Sequence, residues 1–142
     1  MDPVSKSAAL KCLEKDWSNF VAQFESLTPE AREKFLQRQG FANFSGLLAH
    51  ISAWWGEAIA NIRAIAENPN VPLRTYDVDR FNLEAVQAAG GKSESEVARV
   101  FEETRQQLLG AVADVNEELV PNGEMQKQFY WMITNHYAEH KE

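Results

Sequence analysis

Three histidines are all that this chain of 142 residues contains, and two of them stand four positions apart in the stretch NHYAEH, as His136 and His140. On a helix that spacing puts both imidazoles on one face about 6 Å apart, so both can reach a single ion. The third, His50, lies in LLAHISAWW among Leu47, Leu48, Ile51 and Trp54. An imidazole facing a core needs a partner, since a buried unsatisfied polar group costs about 1–3 kcal/mol. A hydrogen-bonded core histidine and a solvated, fraying C-terminal turn, where cations suit the helix dipole, would explain the three separately. One tripod explains them together. Three neutral imidazoles suit Zn²⁺, Ni²⁺ or Fe²⁺ and leave one or more positions open for water or substrate.

Other chemistry-bearing patterns are weaker. HYAEH also fits the H-x-x-E-H signature of a zinc-peptidase group, with Glu139 as base. That reading needs a third ligand well downstream, and only Lys141 and Glu142 follow. Glu139 is turned about 100° of helix from His140 and is expected in solvent. Cys12 is the only cysteine. It can make no internal disulfide, in keeping with a reducing compartment, and is read as a small helix side chain. AAGGKSE lacks the spacing and the preceding strand of a phosphate loop, so Gly90 and Gly91 are a helix stop.

The elements that must position the histidines follow from periodicity and caps. Apolar residues at Leu10, Leu13, Trp17, Phe20 and Phe24 alternate steps of three and four, which predicts a helix over residues 5–26. Thr28 as N-cap and Pro29 at the first helical position start a short second helix, which Gly40 ends. A long helix runs from about Asn43 to Glu67 and carries His50; ENPNVP stops it. Residues 70–78 are a loop, and DVDRFNLEAVQAAGG is a short helix. Ser93 and Glu96 form a capping box that opens a helix to about Leu119, burying Val97, Val100, Phe101, Leu108, Leu109, Val112 and Val115. VPNG breaks it, and a last helix covers roughly Glu124 to His140. With no β-alternation, the fold class is all-α in one domain over residues 1–142. Its architecture is a four-helix bundle, in which the long stretch between the second and third long helices is a crossover connection.

Composition narrows the partners. Eight Phe, four Trp and three Tyr supply a core for one domain. A formal net charge of −7, with no basic cluster, argues against nucleic acid. No apolar run approaches the roughly 20 residues of a membrane span, and the first residues lack a signal peptide's apolar core, so a cytoplasmic location is expected.

LLAHISAWW on the second long helix and NHYAEH on the last resemble the DinB-like superfamily of damage-inducible metalloproteins. The middle segment, YDVDRFNLEAVQ…KSESEVARVFEETRQQLLGAV, is similar to that family's connection and third helix, so the likeness runs from about Ser5 to the end. It implies a divalent metal held by His50, His136 and His140 at one end of the bundle. It also implies, more loosely, a small metal-dependent enzyme: a transferase or isomerase using a low-molecular-weight thiol, or a hydrolase. A non-enzymatic helical binding or interaction protein, with a structural or adventitious metal, is the alternative. Family members often have an aromatic one turn after the first histidine and sometimes a carboxylate further on. Trp54 is therefore read as core or pocket wall. Glu57 is a candidate general base or support for a ligand, although a solvated glutamate is the plainer reading. Tyr76 and Asn82 come from the connector near the bundle end and receive no role. Dimers are frequent in the superfamily, and Trp55, unable to share Trp54's face fully, is assigned to a homodimer interface. Relatives commonly continue past the last histidine, so the final turn is expected to fray and to hold its ligand modestly unless a neighbouring subunit covers it.

Overall fold

The computed structural model describes residues 2–141, and all regular structure among them is helical. The first helix, α1 (residues 6–25), is not uniform. It starts as Lys6–Lys11, widens to π winding over Cys12–Asp16, tightens to a 3₁₀ turn at Trp17–Asn19, and ends as Phe20–Glu25. The next, α2, is Pro29–Gln39; the Thr28 hydroxyl accepts from the Ala31 amide, and Gly40 closes the helix at φ 82°, a left-handed geometry that favours glycine. The long α3, Phe44–Glu67, is capped by Asn43 through the Gly46 amide. α4 is Val78–Ala89, capped by Asp77. α5 is Glu94–Ala113, capped by Ser93 Oγ accepting from the Glu96 amide. α6 covers residues 123–140: Gly123–Lys127, a π-wound stretch Gln128–Thr134, and Asn135–His140. No helix among the described residues is long and apolar enough to cross a membrane.

α3 is the hub, packed against α5 along most of its length and also against α4 and α6. Such an enclosed helix buries more than one stripe, and this corrects the reading of Trp55. Its side chain is fully buried, edge-on to Trp17 at 4.9 Å and against Phe101 at 5.1 Å, so it is core and belongs to no subunit interface. Trp54 faces the other way, toward Phe81 at 4.1 Å and Tyr76 at 5.1 Å.

The two π-wound stretches explain three buried donors. π winding shifts the backbone ladder from i→i+4 toward i→i+5 and leaves carbonyls that need other partners. In α6, Trp55 Nε1 donates to the Met132 carbonyl at 2.9 Å and Trp17 Nε1 to the Ile133 carbonyl at 3.1 Å. In α1, the Leu13 carbonyl accepts from Arg105 Nη1 at 2.8 Å. Arg105, absent from the expected core of α5, is buried there and also grips the Glu102 carboxylate with two donors. Val100 and Leu109, expected inside, are half-buried. The indole bonds matter for the site because they fix the part of α6 just before His136. Trp55→Ala should therefore cost about 3–5 kcal/mol, the range for a buried aromatic. Trp55→Phe, which keeps a ring but loses the bond to the Met132 carbonyl, should cost about 0.5–1.5 kcal/mol. Urea unfolding of both variants checks the order.

α5 stops at Ala113 rather than near Leu119. Asn116 Oδ1 accepts from the Glu118 amide and sets up a separate 3₁₀ turn, Glu117–Leu119. Short polar side chains compete in this way with helix continuation.

Candidate metal centre

His50 comes from the second turn of α3, and His136 and His140 from the last turns of α6. The three ring centroids form a near-equilateral triangle, with sides of 5.3 Å (His50–His136), 5.1 Å (His50–His140) and 4.6 Å (His136–His140). One ring nitrogen from each can be chosen so that all lie within 4.8 Å of one another. His50 Nε2 and His136 Nε2 are 3.3 Å apart. Two nitrogens each bonded at about 2.1 Å to one tetrahedral ion would stand about 3.4 Å apart, so this pair already has the required separation.

All three histidines are buried, and three of their ring nitrogens, His50 Nδ1, His136 Nδ1 and His140 Nε2, have no hydrogen-bond partner. Where the rings meet, His140 Nε2 has no partner and the Nε2 atoms of His50 and His136 have only each other, an arrangement that is costly unless something else is bound there. Burial is the first cause of their acid–base behaviour. It pushes His50 down to about 4, opposed by the Asn82 side chain. Burial and then the charge of His50 bring His140 to about 4, and burial with the charges of both neighbours holds His136 well below its ordinary range. All three are neutral at pH 7, the form that ligates a metal. The donor set fits a divalent ion of the Zn²⁺, Ni²⁺ or Fe²⁺ kind.

The final turn is not frayed, which corrects the expectation for His140. Its Nδ1 meets Gln39 Oε1 at 2.7 Å, while Gln39 Nε2 donates to the Glu139 carbonyl at 3.1 Å. The second bond decides the first. With its amide nitrogen committed to a carbonyl, Gln39 presents oxygen to the ring, so Nδ1 of His140 must be the protonated nitrogen and Nε2 carries the lone pair. Gln39 sits at the end of α2, and the left-handed Gly40 turns the chain so that Phe41 packs on His50 at 5.3 Å. Neither residue was expected at the site. The Gln39 contacts join positions about a hundred residues apart and leave no local signal, and the Phe41 contact with His50 depends on the turn at Gly40. Outer partners of a metal-binding histidine are worth about 10–100-fold in affinity. Gln39→Leu should weaken Zn²⁺ binding by that factor, read by competition with a chromogenic chelator.

A scan against models of known protein families, a search of curated proteins and a search of solved structures each return no match to this chain.

Beside the tripod lies a cleft of about 470 Å³, walled by His50 and His136 and by residues of α3, α4, α6 and the loop before α4. Its size suits a small organic ligand. A larger groove, about 750 Å³, runs between α1, α2 and the start of α3, but no histidine lines it. Trp54 forms part of the cleft wall, and Asn82 holds it there by accepting from its Nε1 at 2.7 Å. Tyr76 is also a wall residue, so the connector supplies two cleft residues that sequence left without roles. Glu57 is ion-paired with Arg74 at 3.1 Å, lies beside the Tyr76 hydroxyl, and is not among the residues lining the cleft. Glu139 is exposed and accepts from Asn135 Nδ2. Cys12 is buried, and burial first, then Asp16, pushes its thiol up to about 12, so it is no nucleophile at neutral pH.

Proposed function

We propose that this chain binds one divalent metal ion through His50, His136 and His140 and is a small metal-dependent enzyme of the DinB-like kind. In this reading α1, α3, α5 and α6 form a four-helix bundle, and α4 lies on the crossover between its second and third members. The observation that carries the proposal is the meeting of three buried, neutral histidines at one point, where His140 Nε2 has no partner and the Nε2 atoms of His50 and His136 have only each other.

A divalent ion held there would supply a Lewis acid able to lower the pKa of a water or thiol in an open position. The chain's own residues do the rest. Gln39 fixes the tautomer of His140, and Phe41 closes the side of the site near α2. The indole bonds of Trp17 and Trp55 hold the π-wound turn that aims His136. The cleft admits a small-molecule substrate to the His50 and His136 edge. Transfer or isomerisation with a low-molecular-weight thiol, and hydrolysis, both use such a centre, and both, like a homodimer, rest on the family resemblance alone. Glu57 enters only as a residue that acts through Arg74 and Tyr76.

Three protein ligands suit a catalytic ion better than a structural one, which usually has four. The Co²⁺-loaded protein tests this. Its visible and near-ultraviolet absorption should change on adding azide or 2-mercaptoethanol, as an open position fills. A spectrum indifferent to both would leave no place for a substrate and would favour the non-enzymatic alternative.

A further inference from the structure

About two to three helical turns from the histidines, the cleft contains a second polar feature. Asn61 of α3 and Gln128 of α6 are both at least nine-tenths buried, at 8% and 5% exposure, and both line the cleft. Asn61 Nδ2 donates to Gln128 Oε1 at 3.2 Å and to the Tyr76 hydroxyl at 3.5 Å. Among the described residues, Asn61 Oδ1 and Gln128 Nε2 make no hydrogen bond. Turning both amides over exchanges the atoms but not the outcome. Asn61 Oδ1 would then accept from Gln128 and Tyr76, and the unused atoms would be Asn61 Nδ2 and Gln128 Oε1. In either assignment the pair offers the cleft one donor and one acceptor.

The surroundings select against a charged ligand. Each of the two cations on the cleft wall already has a carboxylate: Arg74 pairs with Glu57 at 3.1 Å, and Lys127 with Glu124 at 3.0 Å. Flat faces are plentiful instead. Trp54 and Tyr76 form one wall, and Trp131 stands at the cleft 53% exposed, a large aromatic surface left in water. Along α3, Asn61 is about 16 Å from His50, and along α6 Gln128 lies eight residues before His136, most of them π-wound.

We propose that Asn61 and Gln128 form the amide-binding end of the substrate site. The ligand is an uncharged, elongated molecule that presents a carboxamide-type edge, one N–H beside one C=O, to this pair and packs a flat group on Trp131. Its other end reaches the histidines. A primary carboxamide and a ring lactam share this edge. A carboxylate, acceptor only, does not match it, because it leaves one of the pair facing an unpaired partner. The inference deepens the metalloenzyme reading by naming the substrate class of the same cleft.

The test is a titration with benzamide, 2-pyridone and benzoate, followed by NMR on the side-chain amide resonances of Asn61 and Gln128. It is run on the full chain in excess chelator, so metal binding plays no part in the result. Benzamide or 2-pyridone should shift both resonances and bind at least tenfold tighter than benzoate; whichever of the two binds tighter names the source of the edge. Gln128→Met, which removes the donor and acceptor of one partner without adding charge, should erase that preference. Trp131→Ala, at an exposed position that folding does not need, should weaken the amide probes severalfold. Equal binding of benzamide and benzoate overturns the proposal, as does the absence of any shift up to about 20 mM probe, well beyond the millimolar range expected of a fragment. A chain that binds no metal but passes this test would lose the metalloenzyme reading and keep the amide site.

Discussion

The double variant His50→Leu/His136→Leu should bind no divalent metal and yet, in excess chelator at pH 7.5, unfold at a urea concentration no lower than the wild type. The reason lies in what these rings do without an ion. Their Nε2 atoms meet each other at 3.3 Å, and their polar neighbours, the Asn82 side chain and the Met132 carbonyl, keep the bonds from Trp54 and Trp55, so removing both rings strands little. Replacing both members of a buried polar contact by apolar groups of similar size is close to neutral or stabilising, here by about 1–2 kcal/mol. Residues that only held the core together would behave in the opposite way, and their joint loss would lower the midpoint. Added Zn²⁺ widens the contrast. At a free concentration a thousandfold above Kd it should stabilise the wild type by about 4 kcal/mol and leave the double variant unchanged.

Acid should destabilise the metal-free wild type unusually early. His50 and His140 have folded-state values of about 4 against an ordinary 6.5, and His136 is also lowered. Between pH 6.5 and about 4 the unfolded chain takes up protons that the folded chain refuses. Stability is therefore fully present above about pH 7 and is lost as pH falls through that window. With up to about 3 kcal/mol from each of two groups, the total is several kcal/mol, a large part of a small domain's stability. Glu102 contributes separately. The Arg105 guanidinium holds its carboxyl below the ordinary 4.5, so its share is lost only in more acid solution. Urea midpoints at half-unit pH steps should fall steeply for the wild type and much less for the double variant, which keeps only His140. Parallel curves for the two proteins would show that the imidazoles are not the source.

Several parts of this arrangement were legible in sequence. Thr28, Pro29, Gly40, Asn43 and Ser93 mark helix ends by local chemistry that tertiary contacts do not override, and the structure places caps and stops at each. The three histidines were legible because two share a helical face and the third sits in an apolar run with no local partner. What escaped the sequence is set across distance. Gln39 is defined by a bond to a residue on another helix, Arg105 by a carbonyl that only π winding makes available, and Trp55 by the enclosure of α3 on several sides. A pattern of threes and fours does not reveal a π-wound turn, since one widened turn hardly disturbs the apolar stripe. Asn116 did carry a local signal, because a short amide side chain near the end of a helix tends to cap a new turn.

The most direct measurement is the metal content of untagged protein after loading with Zn²⁺, Ni²⁺ or Fe²⁺ and exhaustive dialysis, since a histidine tag would bind the same ions. The tripod predicts close to one ion per chain for at least one of the three metals, and none in the His50→Leu/His136→Leu variant. Wild-type protein that retains no ion, or a double variant that retains as much as the wild type, would contradict it.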